Sequence, residues 1–161
     1  MSNFQTKGFV KFTDFDFCKL LEDQKDKTLE RAHTMVGLPF YWAPEMISGN
    51  GYGFLADIWA LGICIYELVT GVLPFGGDED DTYELMEKIK KNKLTFPTFM
   101  LRDDKFSRMK SFLEMILQKN PQDRLGLKST NNPGPRVGDY SSLKAHYWFT
   151  DFHFVRKYTL D

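Results

Sequence analysis

A chain of 161 residues with 21 Lys and Arg against 22 Asp and Glu has one domain's length and a formal charge of −1. At 42% hydrophobic and 27% charged, with 15 Phe, 7 Tyr and 3 Trp, it has ample core material, and disorder throughout is excluded. The balanced charge argues against a nucleic-acid or membrane-surface protein, which carries a basic excess or stripe, and points to protein or small-molecule partners. Cys18 and Cys64 are too few for a disulfide framework and predict buried free thiols in a reducing compartment. The longest apolar-rich stretch, 54–72, is interrupted by Asp57, Gly62 and Glu67, which argues against a membrane span. The first residues, MSNFQTKGFVKF, lack the apolar run of a secretory signal, so a cytoplasmic location is expected.

In chain order, KGFVKFTDFDFCKLL (7–21) alternates Phe9, Lys11 and Thr13 with Val10 and Phe12 and predicts a short strand pair, with Asp14 and Asp16 in its turn. EDQKDKTLERAH (22–33) is too polar to pack a face and predicts a surface loop or frayed helix. In FYWAPEMI (40–47), Pro44 suits the first turn of a short helix, where its missing N–H costs nothing. ADIWALGICIYELVT (56–70) is apolar on nearly every side and predicts a helix enclosed by protein, closed by Gly71 and barred from continuing by Pro74. The acidic loop GGDEDD precedes a helix over 82–91 with Tyr83, Leu85, Met86 and Ile89 as its apolar stripe. Residues 106–118 repeat the pattern through Met109, Phe112, Leu113 and Ile116. STNNPGPRVGDYS reads as a loop, 141–149 as a last short helix, and no internal repeat is present.

Taken singly, Asp14-Phe15-Asp16 reads as a turn. It gains weight from the ordered series downstream of it: Ala43-Pro44-Glu45, then Asp57-Ile58-Trp59-Ala60-Leu61-Gly62, then Arg124 in NPQDRLG, then His146-Tyr147-Trp148-Phe149. The set resembles the large lobe of a eukaryotic serine/threonine protein kinase. YELVTGVLPFGGDEDDTYELMEKI and KNPQDRLG are similar to the AGC group, above all its cyclic-nucleotide-dependent, cGMP-type members. The resemblance covers about residues 7–152. It implies a mainly α kinase C-terminal lobe with a short β element near the N-terminus, a partial kinase domain over 1–152 and a short tail over 153–161.

The resemblance assigns roles by position. Asp14 looks like the Mg²⁺-chelating carboxylate, with Asp16 as an added candidate, and ATP and Mg²⁺ are the cofactors of the full family. Thr34 matches the activation-loop threonine, whose phosphate would gain about −1.5 to −2 of charge, and Lys19 matches a clamping cation. Glu45 and Arg124 look like a buried ion pair. Asp57 resembles the residue that supports the catalytic loop from below, beside the structural Trp59, and Glu67 resembles a carboxylate that receives a substrate arginine. Read without the resemblance, Asp57 is a helix-start carboxylate and Thr34 an unmodified loop residue.

Departures bear on function. The family's catalytic-loop asparagine falls at Met1, and its His-Arg-Asp loop, Gly-rich loop and ATP-anchoring lysine fall outside these residues, so no catalytic residue is expected on this chain and the chain alone is expected to be inactive. Asp16 stands in place of a conformationally permissive glycine, Leu38 in place of a threonine, and Phe40 where basic-substrate relatives often have glutamate. The resemblance also implies that a helix preceding the catalytic loop, which falls outside these residues, partly covers helix 56–70; without it an exposed flank is expected at Ile58, Leu61 and Ile65, an apolar patch that calls for a covering protein, either the missing kinase part or an assembly partner. Two functions are open on these grounds: part of an active kinase, or a non-catalytic, pseudokinase-like module in a larger assembly. An unrelated helical adaptor would lack the Glu45 and Arg124 pair.

Overall fold

The computed structural model describes residues 12–21, 31–77, 80–126 and 140–154. Pro44 opens the short helix α1 (Pro44–Ile47), which Ser48 closes by donating from its hydroxyl to the Pro44 carbonyl at 2.8 Å. The central helix, α2 (Leu55–Thr70), ends where Gly71 turns left-handed at φ 75° and returns its N–H to the Glu67 carbonyl. Asp81 caps α3 (Thr82–Lys91) by accepting from the Glu84 N–H at 2.8 Å, and three lysines fill the last turn, where the helix dipole favours cations. A short α4 (Thr98–Arg102) leads into α5 (Ser107–Ile116), and α6 (Ser141–Lys144) precedes a 3₁₀ turn, Tyr147–Phe149.

The core forms between α2 and α5. Gly62 makes the approach possible, since a Cβ there would lie 2.7 Å from Leu117 Cδ2 and 3.0 Å from Ile116 Cδ1. Trp59, Ile63, Phe112, Leu113 and Ile116 are fully buried around this contact. Trp59 stacks on Phe75 with centroids 5.4 Å apart, while Phe112 gathers His146, Trp148 and Phe149 and so ties the C-terminal segment to α5. His146 takes part as a neutral ring: its Nδ1 accepts from the Trp148 N–H at 3.1 Å and burial lowers its pKa.

The mainly helical class holds, with differences in detail. The described residues contain no strand, only an isolated antiparallel bridge between Ala32 and Tyr52. Within residues 12–21 the chain makes one turn, 15–18, closed by the Cys18 N–H on the Phe15 carbonyl at 3.0 Å, and the rest of the expected strand pair lies outside the described residues. Of the two loop readings, 22–30 of the first (22–33) and 129–139 of the second (129–141) also lie outside them. α2 is not enclosed on every side: Asp57, Leu61, Cys64 and Leu68, at spacings of four, three and four, face solvent, whereas Ile58 is buried and Ile65 half-buried. Tyr83, expected in the α3 stripe, is exposed, because Leu85 and Ile89 alone fill the core side. Both cysteines are exposed free thiols rather than buried ones. α4 is too short to leave a periodic signal in the sequence.

Candidate functional site

Arg124 leaves the 3₁₀ turn Pro121–Asp123 and enters the core with no exposed surface. A buried guanidinium is tolerable only if its five N–H donors are met, and here all five are. Nη1 donates to Glu45 Oε1 at 2.7 Å and to the Leu55 carbonyl at 2.8 Å. Nη2 donates to Glu45 Oε2 at 2.7 Å and to the Lys119 carbonyl at 3.4 Å, and Nε donates to the Gln118 carbonyl at 2.9 Å. The fork joins α1, the start of α2 and the turn after α5, with the guanidinium 5.1 Å from the Trp59 ring. The buried Trp59 Nε1 has no hydrogen-bond partner among the described residues.

The segment before α1 is fastened by a second contact. Tyr41, in the 3₁₀ turn Pro39–Tyr41, donates to Glu67 Oε2 on α2 at 2.8 Å. That bond, then burial, pushes the Tyr41 pKa up to about 12, so the phenol stays a donor at neutral pH. Glu67 is half-buried and has no other partner among the described residues, leaving Oε1 unclaimed. Trp42 Nε1 donates to the Val36 carbonyl at 2.7 Å and holds the chain on the other side of Leu38, which is exposed, while Phe40 packs against the core.

Asp57 lies in the first turn of α2 and has no hydrogen-bond or ionic partner among the described residues. Although the residue is exposed overall, nearby protein desolvates its carboxylate and raises its pKa. Asp14 is exposed and takes the left-handed conformation at φ 63°, which Asp tolerates better than most residues. Asp16 follows in the adjoining turn. The two carboxylates suit Mg²⁺, which takes one or two such ligands and fills its octahedron with phosphate oxygens and water. No third potential ligand joins them among the described residues.

Thr34 is exposed and its hydroxyl has no partner among the described residues; its carbonyl accepts from the Tyr52 hydroxyl at 2.6 Å. Lys19 is exposed. The structure thus joins Glu45 to Arg124 beside Trp59 and places Asp57 and Glu67 on one helix. It also shows residues that sequence reasoning passed over. Tyr41 and Tyr52 sit among other aromatics and carry no distinguishing sequence signal. Lys119 lies over the Phe75 ring at 3.4 Å, donates to the Ile89 carbonyl, and has its pKa lowered to about 8 by burial and by Arg124.

Residues 2–135 match the protein kinase domain family. The chain is 36% identical over 151 residues to a cGMP-dependent protein kinase of Eimeria tenella, covering 94% of this chain and 13% of that protein. It is 37% identical over 147 residues to a cGMP-dependent protein kinase of Toxoplasma gondii, covering 91% and 13%. A cAMP-dependent protein kinase catalytic subunit of Dictyostelium discoideum is 34% identical over 152 residues, covering 94% and 20%. The chain therefore spans 13% to 20% of the length of these curated relatives. No helix among the described residues is long and apolar enough to cross a membrane. By the extent of the family match and the identity of these relatives, the chain belongs to the protein kinase family, within the AGC group and similar in character to its cGMP-dependent members.

Proposed function

We propose that this chain is the helical-lobe portion of a serine/threonine kinase, working in ATP-dependent phosphoryl transfer within a longer polypeptide. The observation that carries the reading is the five-bond seating of Arg124 on Glu45, Leu55, Gln118 and Lys119, which fixes the segment leading into α1 against α2. Such seating costs desolvation and is repaid only by good geometry, as befits a platform holding a substrate-facing segment in one conformation. On that platform Tyr41 orients Glu67 and leaves one carboxylate oxygen for an incoming arginine of a peptide substrate. Thr34 is the regulatory phosphorylation site, with Lys19 as a cation for its phosphate.

Asp14, with Asp16 beside it, would hold Mg²⁺. When bound with ATP, the ion neutralises charge on the transferred phosphoryl group. Exposed Phe12, Phe15, Phe17 and Leu20, together with Leu61 and Leu68 on α2, mark where the remainder of the kinase covers this lobe, in a cytoplasmic protein. By this reading the chain by itself does not transfer phosphate.

The test is to purify the native polypeptide that contains residues 41–102 and incubate it with ATP, Mg²⁺ and serine peptides with and without an arginine. Phosphate transfer favouring the arginine peptide is expected. Glu67→Gln should cut that preference by roughly tenfold, the scale of one charge-assisted bond. A native polypeptide that transfers no phosphate would contradict the proposal and favour a non-catalytic assembly module.

A further inference from the structure

The segment carrying Thr34 is held to the loop before α2 by an isolated antiparallel bridge and the contacts around it. Ala32 and Tyr52 exchange both backbone hydrogen bonds, Ala32 N–H to the Tyr52 carbonyl at 2.8 Å and Tyr52 N–H to the Ala32 carbonyl at 2.9 Å. The Tyr52 hydroxyl reaches forward to the Thr34 carbonyl at 2.6 Å, and Arg31 Nη1 reaches back to the Asn50 carbonyl at 3.3 Å. Gly51 lies between these contacts at φ 77°, and a Cβ there would stand 2.8 Å from His33 Cε1 and 3.0 Å from Arg31 Cβ. Only glycine permits both the left-handed turn and the approach of residues 31–33. Ala32 is buried by this contact, whereas Thr34 remains exposed.

We propose that the loop 50–52 is a clasp for the regulatory segment, with Tyr52 as its positioning residue, and that the closed clasp withholds the backbone of residues 31–34 from enzymes that must bind it as an extended strand. Enzymes that act on peptides commonly take them up by main-chain hydrogen bonds, and the main-chain groups of Ala32 and the Thr34 carbonyl are already occupied here. The hydroxyl of Thr34 is open to solvent, but the segment around it has to leave the clasp before such an enzyme can act. Opening of the Ala32 and Tyr52 bridge, rather than exposure of the hydroxyl, sets the rate of modification and of its reversal. The gating part rests on Thr34 as the phosphorylation site; the clasp itself does not.

The two parts are tested separately on the full chain. Trypsin cuts after Arg31 only when that backbone is free, so cleavage at Arg31 relative to cleavage at Arg102 in α4 reports opening of the clasp, corrected for global unfolding. Tyr52→Phe, which loses one hydrogen bond, should raise the ratio roughly three- to tenfold, and Gly51→Ala, which meets both strain and a clash, should raise it at least about tenfold. Thr34→Ala keeps its carbonyl and should leave the ratio unchanged. Equal ratios in the parent chain, Tyr52→Phe and Gly51→Ala would overturn the clasp. Should Gly51→Ala not fold, amide exchange at Ala32 and Tyr52 in Tyr52→Phe decides the same question: faster exchange than in the parent supports the clasp, and equal exchange overturns it. For the gating, chains carrying phosphothreonine at 34 are treated with a broad-specificity protein phosphatase. Faster release from Tyr52→Phe, by a factor similar to its trypsin ratio, is expected, and equal release rates would overturn the gating. Thr34 unphosphorylated in the active native kinase would defeat the regulatory reading while leaving the trypsin comparison to judge the clasp.

Discussion

Arg124 shows how one residue can fix the relation of distant parts of a chain. Its carboxylate partner lies 79 positions away, and both charges are almost fully withdrawn from water. Removing Glu45 strands a desolvated guanidinium, so Glu45→Ala is expected to cost about 3–5 kcal/mol in urea unfolding. Adding Arg124→Met should recover much of that loss, since the unpaired charge is then gone. A cost below about 1 kcal/mol for the single change would mean that the pair is solvated in solution. Lys119 makes a different prediction. Its pKa is about 8 in the folded chain and 10.5 as an ordinary lysine, so between those values the unfolded chain binds the extra proton. Stability contributed at this residue therefore rises with pH through that window and falls away as pH drops through 8. Thermal unfolding of the parent chain against Lys119→Met should show the parent gaining relative to the variant from about pH 8 to 10; a flat difference would contradict it. The Glu45 and Arg124 pair was legible only through the ordered motifs, because 21 cations and 22 carboxylates offer far too many pairings for charge alone to choose one. Lys119 was not legible at all: its environment is made by Phe75, Trp59 and Ile89, which only the folded chain brings to it.

At the scale of elements, local chemistry marks what it controls. Asp81 and the spacing of Leu85 and Ile89 define α3, and Gly71 defines the end of α2, so these boundaries could be read directly. What periodicity could not settle was which neighbours α2 has. A helix apolar on nearly every side reads as buried, yet Leu61, Cys64 and Leu68 form an uncovered stripe, continued by Val72 at 55% exposure. Such a stripe at helical spacing invites association. Leu61→Lys with Leu68→Glu is expected to suppress self-association of the chain in analytical ultracentrifugation while changing unfolding stability by less than about 0.5 kcal/mol per site. Loss of stability well beyond that would show that these side chains are packed in solution. The strand pair expected near the N-terminus fares differently, since the described part of that segment contains a single turn and four exposed apolar side chains, Phe12, Phe15, Phe17 and Leu20. Alternation predicts a strand only where a partner strand is present to take its hydrogen bonds, and the described residues provide none.

The whole molecule combines a well-packed centre with two apolar surfaces that nothing among the described residues covers. Trp59, Phe75, Phe112 and Trp148 bind α2, α5 and the segment after α6 into one core. Those surfaces lie at residues 12–20 and along α2, on a chain that spans 13% of the Eimeria cGMP-dependent kinase and 20% of the Dictyostelium cAMP-dependent catalytic subunit. The most direct measurement is the intact mass, from the native source, of the polypeptide that yields tryptic peptides from residues 41–102. A mass well above 18.8 kDa is expected, as for a kinase of which this lobe is one part. A native polypeptide of 18.8 kDa would contradict that, and would make whatever covers α2 the next thing to identify.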